Sequence, residues 1–176
     1  MSIKNLVSRA TINNTLNTRQ KRIYAFLKEQ HVGVLSSVTP DGNPHGVVVY
    51  YAVEDNFIIS FLTKKGTHKY DNLLHNDHVM FTVFQPLTQT TVQVTGIAIE
   101  RESQQSISKI TGAIFGDSLS TSDVGLPPIV KLQAGAFTMF QIRPVHIRMA
   151  TYSRPESGDY DQLFDSIESF EFKEVS

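Results

Sequence analysis

Residues 32–63 read VGVLSSVTPDGNPHGVVVYYAVEDNFIISFLT. Three runs rich in Val, Ile, Tyr and Phe are separated by two polar breaks, Pro40-Asp-Gly-Asn43 and Glu54-Asp-Asn56. β-Branched and aromatic runs bounded by turn residues read as strands. They span Val32 to Thr39, Pro44 to Val53 and Phe57 to Thr63. The first break favours a turn at each residue: Pro presets φ, Asp bonds to nearby backbone, and Gly tolerates positive φ. Three strands joined this tightly make an antiparallel meander.

Upstream, Ser2 to Asn17 lacks periodicity, and residues 1–17 read as an N-terminal arm. Thr18 caps a helix running to about Gln30, with Ile23, Phe26 and Leu27 on one face. Downstream, Lys64-Lys-Gly66 breaks the strand pattern, and Thr67 caps a short helix in which Tyr70, Leu73 and Leu74 share a face. Val79 to Phe84 is a fourth strand, and Thr90 to Glu100 a fifth. Ser103 to Phe115 carries Ile107, Ile110 and Ile114 at helical spacing, with Gly116 at the C-terminal cap. Asp117 to Pro128 is a polar loop. Phe137 to Ile142 and Val145 to Thr151 form a long last strand interrupted at Pro144. Residues 153–176 are an acidic tail broken by Phe164, Ile167, Phe170 and Phe172, an apolar content suited to docking. Strands cluster rather than alternate with helices, which argues against a parallel sheet. The expectation is a mainly β (α+β) fold, a six-stranded antiparallel barrel with flanking helices, occupying residues 18–152.

The 176 residues suggest one domain. A chain of this size buries about 70% of its unfolded surface and needs no covalent staple. Hydrophobic residues make up 40% and charged residues 19%, which excludes a wholly disordered chain. Sixteen basic against 17 acidic residues give a net charge of -1, so no global field draws nucleic acid or an anionic membrane. The absence of cysteine excludes a disulfide scaffold, a thiolate metal site and a thiol nucleophile, and fits a reducing compartment. Met1 to Arg9 lacks the features of a signal peptide, and no stretch approaches the roughly 20 apolar residues of a membrane helix. A soluble, cytoplasmic protein is expected.

The most informative chemistry lies in Phe61-Leu-Thr-Lys-Lys-Gly-Thr-His-Lys69. A strand ends, two lysines and a glycine follow, and a capped helix begins. Free N–H groups at a helix start, with lysines nearby, suit an anion, and Thr63 and Thr67 add hydroxyls. The same residues also read as a solvated loop with a good cap. His31, His45, His68, His75, His78 and His146 share no metal-ligand spacing, and no metal is expected. No nucleophile elbow or triad context is present, so no catalytic side chain is assigned.

Taken in order, these segments resemble the pyridoxamine 5'-phosphate oxidase-like, flavin mononucleotide (FMN)-binding split-barrel family. The resemblance runs from about Thr18 to Thr151 and is carried by Asp41-Gly-Asn-Pro44, Val47 to Ala52, Leu62-Thr63, Thr67-His-Lys69, Asn72 to His78, Val94-Thr-Gly96 and Phe140 to Pro144. It implies FMN as cofactor. Lys69 would neutralise the phosphate with His68, Thr67 and Thr63. Val48, Val49 and Tyr50 would line the ring and ribityl chain, with Leu62 and Lys64 adjoining and Thr91 contacting the flavin. It also implies a homodimer with the flavin between subunits. Where the true oxidases carry an Arg and a Lys bounding the second-strand motif, this chain has Val47 and Ala52. Their substrate-phosphate segment and their C-terminal Arg-x-His pair are absent, so vitamin B6 oxidation is not implied. The expectation is an FMN-dependent oxidoreductase acting on a small molecule. The alternatives are a non-catalytic or stress-linked flavin-binding module, or a haem- or deazaflavin-binding relative.

Overall fold

The computed structural model describes residues 16–121, 137–152 and 163–172. Most of the arm, residues 122–128 of the expected loop and both ends of the tail lie outside them. The meander is β1 (Val32–Val38), β2 (Pro44–Val53) and β3 (Ile59–Lys64). It continues through β4 (His78–Gln85), β5 (Thr90–Arg101), β6 (Phe137–Tyr152) and β7 (Phe164–Glu171). The strand order is β3-β2-β1-β4-β5-β6, and β3 pairs with β6 to close a six-stranded antiparallel barrel. The expected fold is therefore the observed one. β7 extends β6 beyond the closure, pairing His146–Tyr152 with Glu171–Phe164.

Helix α1 (Thr18–Glu29) is capped by Asn17, not Thr18. The Asn17 side chain accepts from the Gln20 N–H at 2.9 Å, and the Gln20 side chain accepts from the Asn17 N–H at 3.1 Å. That reciprocal box satisfies two orphan donors at once, an advantage Thr18 cannot match. Ile23, Phe26 and Leu27 enter the main core with Leu35, Phe61, Phe81, Val92, Phe140 and Ile147. The Leu27 carbonyl, in the last turn of α1, accepts from the Tyr51 hydroxyl at 2.7 Å. Burial pushes the Tyr51 phenol far above its ordinary range, so it stays a neutral donor.

β3 begins two residues later than expected. Asn56 and Phe57 both take left-handed backbone, with φ of 60° and 63°. Such a conformation is costly for a bulky residue. It drives the Phe57 ring into contact with Tyr24, Phe170 and Phe172 at centroid distances of 5.4, 5.3 and 5.8 Å.

In α2 (His68–His75), Leu73 is buried but Leu74 is exposed, so the expected shared face is narrower. α3 (Gln104–Thr121) runs through Gly116, because a glycine inside a helix costs only about 1 kcal/mol and the residues that follow accept helical backbone. Ile110 and Ile114 pack with Leu62 and Met139 on the barrel's outer wall. β6 is one continuous strand. Thr95 opposes His146 and Gly96 opposes Pro144, so Val145 bulges out. The bulge accommodates Pro144, which has no N–H to give a ladder. At Gly96 the backbones approach so closely that an added Cβ would lie 2.3 Å from the Arg143 carbonyl oxygen. Among the described residues, no helix is long and apolar enough to cross a membrane.

Candidate functional site

The barrel is open along one seam. β2 and β3 pair only over Tyr51–Val53 and Ile59–Phe61. Beyond Phe61, β3 continues against β6 to the Lys64–Phe137 pair. Before Tyr51, β2 continues against β1 to the Pro44–Val38 pair. The Tyr51 N–H donates to the His31 carbonyl at 3.2 Å. Backbone directions repeat every second residue along a strand. Val49 therefore faces β1 as Tyr51 does, and the Tyr50 C=O closes the last ladder position with β3, while the Tyr50 N–H and the N–H and C=O of Val48 face the open seam. Buried backbone polar groups demand partners, so this edge is suited to receive a ligand.

A cavity of about 560 Å³ fills the seam, within the roughly 300–1,000 Å³ of small-ligand sites. β2 contributes His45 and Val47 to Tyr50, and β3 contributes Leu62 to Lys64. The start of α2 contributes Thr67, His68 and Lys69, and α3 closes one side with Ile114. Nine of the ten expected residues thus meet around one space: Val48, Val49, Tyr50, Leu62, Thr63, Lys64, Thr67, His68 and Lys69.

The chain enters α2 through Gly66, whose φ of 76° favours glycine. Thr67 then caps the helix, accepting from the Tyr70 N–H at 3.4 Å and donating to the Lys64 carbonyl at 2.9 Å. The Thr63 hydroxyl lies 3.4 Å from that of Thr67. Lys69 Nζ sits 5.7 Å from the Phe61 ring centroid. Burial pushes its pKa below the ordinary 10.5, and among the described residues no carboxylate forms an ion pair with it. Lys64 lines the cavity, whereas Lys65 turns to Glu102 at 2.5 Å and Glu100 at 3.6 Å. The hydrogen bond with Glu102 raises the Lys65 pKa and lowers that of Glu102. The site therefore combines two lysines, two hydroxyls, a helix start and an open backbone edge in a largely apolar slot. Those are the groups that a flat heterocycle on a phosphorylated chain requires, so the residues fit FMN.

Thr91 is outside this cavity. It pairs with Phe84 and Ala150 on the outer barrel face. Val32, Val34, Val48, Met80 and Phe84 are also exposed there, with Val48 at 62% and Phe84 at 54%. His45, Val47 and Ile114 complete the lining beyond the expected set. The period-two alternation that links His45 to Val47 and Val49 was the available signal for His45. Among the described residues, no three His, Asp or Glu side chains gather as a metal would need.

A profile of the pyridoxamine 5'-phosphate oxidase family matches residues 20–150. The chain belongs to that family. No curated protein matches the sequence significantly. A conserved hypothetical protein from Mycobacterium tuberculosis is similar with a TM-score of 0.62 and 22% identity, over 77% of this chain and 84% of that one. A pyridoxamine 5'-phosphate oxidase-related, FMN-binding protein from Nostoc punctiforme gives a TM-score of 0.55 at 15% identity, over 90% and 99%. A heme-binding protein from Mycobacterium smegmatis gives 0.58 at 16% identity, over 84% of this chain and 56% of that one. At these identities the likeness is one of fold.

Proposed function

We propose that the seam cavity binds FMN and that the protein is an oxidoreductase acting on a small molecule through it. The observation that carries this reading is Lys69, partly buried at the mouth of a capped helix and without a carboxylate partner among the described residues. A cation held that way is poised for an anion supplied from outside. Lys69 and the Thr63 hydroxyl would hold the phosphate, and Thr67, whose proton goes to the Lys64 carbonyl, would fix the helix start beside it. The Val48 and Tyr50 backbone would meet polar atoms of the ligand, and Val47, Leu62 and Ile114 would exclude water from its apolar surface. The bound flavin would supply the hydride or electron chemistry that no side chain here offers.

The bare face carrying Thr91 supports a homodimer. Val48 belongs both to that face and to the cavity rim, so a second copy seated there would approach the ligand. In such a dimer Thr91 would join the site across the interface. The test is titration of ligand-free protein with FMN, followed by addition of a reduced nicotinamide. Saturable quenching of flavin fluorescence with turnover supports an oxidoreductase. Binding without turnover by either reduced nicotinamide supports the non-catalytic module instead, and no binding removes the proposal.

A further inference from the structure

We infer that His45 is a further anchor for the phosphate end of the ligand, donating from Nε2 while Asn72 holds its other ring nitrogen; this rests on the FMN reading of the cavity. A phosphate monoester carries a charge of roughly -1.5 to -2 at neutral pH and three acceptor oxygens, which leaves acceptor positions beyond those Lys69 and Lys64 can fill. Val47 has no donor to add, and Lys65 is committed to Glu102 and Glu100. His45 lies on the same strand face as Val47, two residues earlier, and lines the cavity.

Its ring is held by buried structure. Asn72 is only 3% exposed, and its Nδ2 lies 3.1 Å from His45 Nδ1 and 3.3 Å from the Ser37 hydroxyl. One amide on α2 thus ties the ring on β2 to a hydroxyl on β1. With Nδ1 accepting from an amide, the neutral imidazole carries its proton on Nε2. Asn72 follows Lys69 by three residues, so the two share a helix face and lie about 5–6 Å apart at Cβ. The histidine and the lysine are therefore brought to the cavity by the same side of α2.

The experiment measures FMN and riboflavin affinities by fluorescence titration for the parent, His45→Ala, His45→Gln and His45→Asn. Riboflavin lacks only the phosphate. Losing a hydrogen bond to a charged group should weaken FMN binding about tenfold or more in His45→Ala, while riboflavin affinity stays within about twofold. His45→Gln, whose amide nitrogen reaches as far as Nε2, should bind FMN about tenfold tighter than His45→Asn, and this comparison stands if the alanine variant does not fold. Equal losses for both flavins, or equal FMN affinities in the Gln and Asn variants, would overturn the role of His45 alone. A parent that binds neither flavin removes the FMN reading and the role of His45 together.

Discussion

Lys69 carries more of the account than any other side chain. Its charge is held beside an aromatic ring with its pKa lowered by burial. An anion there favours the ammonium form and raises the pKa back towards 10.5. Binding is therefore coupled to retention of the proton. FMN affinity should hold through neutral pH and fall as pH climbs through the lowered pKa, below 10.5. Lys69→Arg should remove that alkaline limb, because guanidinium stays charged. Lys69→Ala should weaken FMN about tenfold or more at pH 7, with riboflavin little affected. Affinity titrations across pH check all three. The sequence made Lys69, Thr63 and Thr67 legible because a helix start is a local signal. Strand alternation puts His45 on the face of Val47, but its ring orientation was not legible, since that depends on Asn72, 27 residues away.

At the scale of elements, Phe57 and β7 depend on each other. The left-handed backbone at Asn56 and Phe57 is held by an aromatic cluster that β7 completes with Phe170. Arg22 fastens the same strand to α1 through Glu168 at 2.7 Å and Ser166 at 3.3 Å, a partly solvated contact of modest worth. Phe57→Ala should destabilise the fold by about 3–5 kcal/mol, read as a lower urea midpoint. Arg22→Ala should cost less than about 1 kcal/mol. β7 was hidden in the sequence because Asp165, Glu168 and Glu171 read as a solvated run. The buried side is carried by Phe164 and Phe170, and a two-residue period spread over so few apolar positions is weak. The first three strands were legible because turn residues bound them on both sides. Helix ends were less so: Gly116 is compatible with both a cap and a continuing helix.

On the scale of the whole molecule, the barrel leaves an apolar outer face that runs from Val48 on β2 through Val34 to Phe84 on β4. Thr82 interrupts these apolar side chains opposite Val34, and the proposed homodimer would use this face. In the proposed homodimer, Phe84→Glu should shift the equilibrium towards monomer in sedimentation velocity, and FMN affinity should fall with it if Thr91 completes the site. An unchanged dimer would place the interface elsewhere. The near-neutral charge of the whole chain conceals the cation at the seam, which only the folded arrangement of β2, β3 and α2 brings into view. The most direct test of that arrangement is the visible spectrum of the purified protein with the mass of any ligand it releases. The account predicts flavin absorption and the mass of FMN, or uptake of FMN by colourless protein. A haem Soret band, or a colourless protein that fails to bind added FMN, would contradict it.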